Sequence, residues 1–70
     1  MKSITELRKE RGLTQTELAK LSGISVPELS DIESGKRRPR ATTTLKLAKA
    51  LKVSYEEIER NTKWIFLKNY

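Results

Sequence analysis

Apolar residues recur at three- and four-residue steps along most of this chain: Ile4 and Leu7, Leu18 and Leu21, Leu29 and Ile32, then Leu45, Ala48 and Leu51. That spacing lines one side of an α-helix, and no strand-like alternation precedes the last nine residues. At four of the expected helix starts a Ser or Thr stands three residues before a Glu, the pattern that caps a first helical turn reciprocally. They are Ser3-Ile4-Thr5-Glu6, Thr14-Gln15-Thr16-Glu17, Ser25-Val26-Pro27-Glu28 and Ser54-Tyr55-Glu56-Glu57. Gly12, Gly23 and Gly35 follow three of these segments, where a left-handed residue ends a helix at little cost. The punctuation predicts helices near 4–11, 15–22, 26–34, 43–51 and 55–61, with Thr42 or Thr43 capping the fourth. Leu13, Ile24, Val53 and Ile58 complete one apolar set, so the expected fold is all-α, a small orthogonal bundle of five helices.

Seventy residues allow one domain at most, and a chain this short buries only ~60% of the surface its unfolded form exposes. The predicted domain is 1–61, with 62–70 as a C-terminal extension. The chain has no Cys and no His, which removes disulfides, thiolate metal sites and the usual general base. The longest apolar run, Trp64-Ile65-Phe66-Leu67, is far short of a membrane span. The start, MKSITELRKERG, lacks the apolar core of a signal peptide. The expectation is a soluble, cytoplasmic domain with no membrane partner.

Charge changes the picture. Net charge is +6, and between Ser34 and Tyr55 stand seven cations (Lys36, Arg37, Arg38, Arg40, Lys46, Lys49, Lys52) without an Asp or Glu. The remaining residues carry eight cations and nine acids. The whole excess sits in one third of the chain, as a polyanion-binding footprint would. The bland alternative is a solvated surface that keeps a small protein in solution.

The stretch from Gln15 to Ser34 narrows the polyanion to DNA. Ala19 lets another helix approach the second helix closely, Gly23 makes a sharp turn, and Ile24, Leu29 and Ile32 pack the third helix back. A helix-turn-helix needs that arrangement to hold its second helix proud enough to reach a major groove.

These residues resemble the Cro/repressor-type (XRE) helix-turn-helix family. The matching pattern is Ile4-x-x-Leu7-Arg8-x-x-x-Gly12-Leu13-Thr14-Gln15-x-x-Leu18-Ala19, then Gly23-Ile24-Ser25, Leu29-Ser30-x-Ile32-Glu33-x-Gly35-Lys36, Pro39, and Leu45-x-x-Ala48-x-x-Leu51-x-Val53-Ser54. The resemblance covers roughly residues 4 to 58 and implies a lambda-repressor-like five-helix bundle that regulates transcription by binding double-stranded DNA. It also implies that Gln15, opening the second helix, clamps a phosphate, a placement that suits an amide at a helix N-terminus. Arg8 and Glu33 resemble the family's ion pair joining the first and third helices, a structural role. Lys36, Arg37, Arg38 and Arg40 resemble its backbone-contacting loop, with Arg40 placed to approach a minor groove.

The base-proximal positions implied by the resemblance are Ser25, Val26, Pro27, Ser30 and Asp31. None is an Arg, Lys, Asn or Gln, the side chains that read purine edges in bidentate fashion. Val26 and the Pro27 ring can touch thymine methyls. Asp31 either accepts from a cytosine amine or folds onto Arg37 or Arg38. Glu28 is expected to complete the capping box with Ser25, and Pro27 fits a first turn that needs no N–H from it. Lys52 stands in a turn where the family often has Gly, and a left-handed Lys there costs on the order of 1 kcal/mol.

Trp64, Phe66 and Tyr70 put three of the four aromatics in the last seven residues. They either fold over the core in cis or form a homodimer contact. The leading expectation is a small DNA-binding regulator. The competing one is a protein-interaction module built on the same fold, using the acid-bearing third helix and the tail. Ser22, Ser30 and Thr43 have no candidate base, so no catalytic site is expected; nor is any metal, cofactor or small-molecule ligand implied.

Overall fold

The computed structural model describes residues 3–61; the aromatic tail, 62–70, lies outside the described residues, and with it the expectations attached to Trp64, Phe66 and Tyr70. Five helices follow one another: α1 Ile4–Glu10, α2 Gln15–Ser22, α3 Val26–Ser34, α4 Ala41–Leu51 and α5 Tyr55–Asn61. Among the described residues there is no strand and no helix long and apolar enough to cross a membrane. Ile4, Leu7, Leu18, Ala19, Leu29, Ile32, Leu47, Ala48, Leu51 and Ile58 form one buried cluster, with Leu13, Ile24, Ala50 and Val53 packed against it.

Local chemistry sets the helix starts. Ser3 and Thr14 form complete capping boxes with Glu6 and Glu17. The third box forms only by half. The Glu28 N–H donates to Ser25 Oγ at 3.2 Å, but the Glu28 carboxylate instead accepts from Thr43 Oγ1 on α4 at 3.4 Å. A tertiary donor has displaced the local one. Thr42 and Thr43 do not cap α4 either: its N-cap is Arg40, with no side-chain cap. The Arg40 carbonyl accepts from the Thr44 N–H at 2.8 Å, closing the first turn ahead of the predicted start and leaving Thr43 and Thr44 buried within it.

Two leucines expected inside lie outside. Leu45 is 46% exposed because the buried stripe of α4 runs through Thr43, Thr44, Leu47, Ala48 and Leu51, and Leu45 sits roughly 200° around the helix from Leu47. Leu21 is 63% exposed. Ser22 takes the inward place four residues after Leu18, its hydroxyl donating to the Leu18 carbonyl at 2.7 Å.

Gly23 turns the chain from α2 into α3 with φ 77°, a left-handed geometry that suits a residue without Cβ. Its N–H and that of Ile24 both donate to the Ala19 carbonyl, at 2.9 and 3.1 Å. Lys52 does the same work at the end of α4 with φ 59°.

Candidate nucleic-acid interface

Leu29 and Ile32 anchor α3 in the core, which turns its other side outward. Ser25, Val26, Pro27 and Ser30 are exposed and Asp31 is half-buried; residues 26, 27, 30, 31 and 34 share this outer face at helical spacing. Val26, 37% exposed, is a large apolar side chain left open at the front of the helix.

The basic loop begins where α3 ends. Gly35, left-handed at φ 83°, caps the helix, and the Lys36 N–H donates to the Asp31 carbonyl at 2.9 Å. Lys36, Arg37, Arg38 and Arg40 are all exposed around a buried Pro39. Arg37 Nη2 donates to Asp31 Oδ2 at 3.5 Å. This is the fold onto Arg37, one of the two roles expected for Asp31. About half of each side chain remains in solvent, 54% for Arg37 and 40% for Asp31, so the pair contributes little to stability, but it ties the loop to the outer face of α3.

Gln15 is held from below. Glu33 Oε2 accepts from Arg8 Nε at 2.9 Å, and its Oε1 accepts from Arg8 Nη2 at 3.2 Å, Thr5 Oγ1 at 2.9 Å and Gln15 Nε2 at 3.0 Å. Arg8 Nη1 completes the cluster by donating to the Leu13 carbonyl at 2.9 Å. The Arg8 and Glu33 side chains are only 10% and 6% exposed, so the expected ion pair is present and nearly dry. Burial alone would raise the Glu33 pKa. The hydrogen bonds from Arg8, Gln15 and Thr5, together with the Arg8 charge, overcome it and hold the carboxyl below its usual 4.5. Thr5 and Gln15 as partners of Glu33 carry no sequence signal, since both lie far from it along the chain.

Beside the loop, packing of α5 on α4 creates a cleft of about 310 Å³ lined by Arg38, Pro39, Arg40, Ala41, Thr44, Tyr55 and Glu59. The first turn of α4 contains no acid and no side-chain cap; the cleft beside it brings Arg38 and Arg40 together with the acid Glu59. Thr44 and Tyr55 join this cleft only through the meeting of two helices, which periodicity does not reveal.

An HTH_3 helix-turn-helix family model matches residues 4–58, nearly the whole described structure. The chain belongs to the HTH_3 helix-turn-helix family. Among curated HTH-type proteins it is 45% identical over 56 residues to the transcriptional regulator y4dJ of Sinorhizobium fredii, covering 80% of this chain and 73% of that protein. It is 53% identical over 51 residues to the transcriptional repressor RghR of Bacillus subtilis, covering 71% of this chain but only 38% of RghR. Among solved structures, the restriction-modification controller protein C.AhdI of Aeromonas hydrophila superposes with a TM-score of 0.75 at 38% identity, covering 79% of this chain and 83% of that one. The HTH_3 match begins with the first residue of α1 and ends at the buried Ile58 of α5, so the family's scaffold and this core coincide.

Proposed function

We propose that this chain is a DNA-binding transcriptional regulator that sets α3 in a major groove while Gln15, Lys36, Arg37, Arg38 and Arg40 engage the flanking phosphates. The observation that carries the reading is the continuity of one surface: the open face of α3, the cationic loop hydrogen-bonded to it through Asp31, and the α2 N-terminus bonded to it through Glu33. A helix-turn-helix uses these same parts to enter a groove and straddle the backbone. Arg40, leading into an α4 start that lacks a side-chain cap, is directed at the minor-groove edge.

Affinity on this reading is mostly electrostatic. Roughly four phosphates neutralised per monomer give a salt slope of about −3 to −4. Base discrimination rests on apolar contacts from Val26 and Pro27, on Ser30, and on groove shape, and is weak for one half-site. Residues 62–70 are proposed as the homodimer contact that sets two α3 helices roughly 34 Å apart on successive turns of duplex. Their aromatic content supports this. Sedimentation of the full chain against one ending at Asn61 tests it, and an unchanged monomer in both removes it. With DNA as partner, the working location is the cytoplasm.

The test of function is selection of bound duplexes from a random pool, followed by affinity measurements. Gln15→Ala and Arg38→Ala should weaken all sequences similarly, whereas Val26→Ala should change preference at one or two bases. If the first two leave affinity unchanged, the docking face is assigned wrongly.

A further inference from the structure

Three of the seven clustered cations do not belong to the loop. Lys46, Lys49 and Lys52 stand on the C-terminal half of α4 and just past it, where α2 packs alongside. With Leu21, Ser22 and Ala50 they line a groove of about 550 Å³. Its lining contains no acid. Among the described residues none of the three lysines has a carboxylate within ion-pair distance. Leu21 stands open in the lining, and Leu45, also exposed, lies one turn before Lys49 on the same side of α4.

We propose that this groove is a second docking surface, for an acidic segment of a partner protein that carries an aliphatic or aromatic anchor. The lysines supply the complementary charge, and Leu21 with Ala50 supplies the apolar floor. A sugar-phosphate backbone fits the charge but has nothing apolar to lay on Leu21. Lys49 and Lys52 also lie by the carbonyl end of α4, where a cation is favoured. That effect accounts for neither Lys46 nor an uncovered leucine. Position separates the groove from the duplex. It lies toward the C-terminal ends of α2 and α4, whose N-terminal ends carry Gln15 and Arg40; Lys46, its lining residue nearest Arg40 along α4, is roughly 9 Å further along the axis. The groove therefore stays open while DNA is bound, and a partner held there meets a regulator already on its site.

The experiment is an NMR titration of the full chain, alone and on a duplex, with two synthetic peptides of about 15 residues, a length that gives a helix several turns. One carries Glu and Asp with Leu and Phe at helical spacing. The other keeps every charge and replaces Leu and Phe by Ser. Shifts are expected at residues 21–22 and 45–52 with the first peptide, in the presence of duplex as well as its absence. Lys46→Glu/Lys49→Glu and Leu21→Ser should each weaken that peptide about tenfold or more, with duplex affinity within about twofold of the parent. Four results overturn the proposal: equal binding of the serine peptide, shifts confined to residues 25–40, absence of peptide binding, or a duplex affinity that falls with the two lysines. Sedimentation showing that Leu21→Ser dissociates an oligomer overturns it too, by giving the groove to a second copy. Duplex and peptide binding are read separately, so failure of the DNA reading and failure of this one are distinguishable.

Discussion

Gln15 Nε2 donates to Glu33 Oε1 at 3.0 Å, so the amide proposed to clamp a phosphate is positioned by the carboxylate that also neutralises the buried Arg8. One carboxylate thus serves both the core and the proposed docking face. An amide nitrogen carries two N–H donors and the Gln15 carbonyl is an acceptor, so this bond orients Gln15 while leaving a donor for the duplex.

Removing Glu33 should therefore have two separable effects. Glu33→Ala leaves Arg8 buried without its counter-ion and should cost about 3–5 kcal/mol, read by urea denaturation. Replacing both residues by Met should recover much of that loss, because a dry pair is often matched by apolar side chains. Duplex affinity of the double variant should stay below that of the parent, since Gln15 has lost its anchor.

The same cluster sets an acid dependence. Glu33 has a folded pKa below its ordinary value, so the unfolded chain binds the proton more readily and stability falls as pH falls. The contribution is complete above about pH 4.5, the ordinary value, and is lost as pH drops through the lowered folded one. Denaturation between neutral pH and strong acid should show a steep acid limb in the parent and a flatter one in Glu33→Gln. Equal limbs would remove the linkage.

Two left-handed positions make opposite predictions from one cause. Lys52 holds φ 59° and Gly23 holds φ 77°. Lys52→Gly should stabilise, and Gly23→Ala should destabilise, each by on the order of 1 kcal/mol. A Cβ at Gly23 meets nothing within 4 Å, so that cost is backbone strain alone. Thermal melts of both variants check the pair.

Asp31 is an acid on a face proposed to meet phosphates, paired with Arg37 at 3.5 Å. Asp31→Asn should tighten binding to every duplex and steepen its salt dependence by releasing Arg37. An altered base preference with unchanged salt slope would show instead that Asp31 reads a cytosine.

The scaffold was legible because it is written locally. Ser3-to-Glu6 and Thr14-to-Glu17 boxes and the glycine turns involve residues three or four apart, and the structure forms them as spaced. What failed was decided across helices. Glu28 turned to Thr43 on α4 instead of back to Ser25, and Thr43 lies inside the first turn because α4 starts at Ala41. Leu45 and Leu21 fit an apolar repeat, yet Leu47 and Ser22 took the inward places, because helix phase depends on where packing starts α4 and closes α2. The Arg8–Glu33 pair came through resemblance; Thr5 and Gln15 as its partners required the folded chain. Of the seven clustered cations, Lys36, Arg37, Arg38 and Arg40 fall in the loop leading into α4, whereas Lys46, Lys49 and Lys52 line the groove beside α2, a division that needs the folded chain.

The most direct measurement of groove docking is the salt slope of duplex binding for the parent beside Lys36→Ala and Arg40→Ala. The parent should fall by about 3 to 4 logarithmic units in affinity per unit of log salt per monomer, and each variant's slope should be shallower by about 0.9. Slopes identical in all three proteins would mean that the loop touches no phosphate and that the duplex, if bound, lies elsewhere.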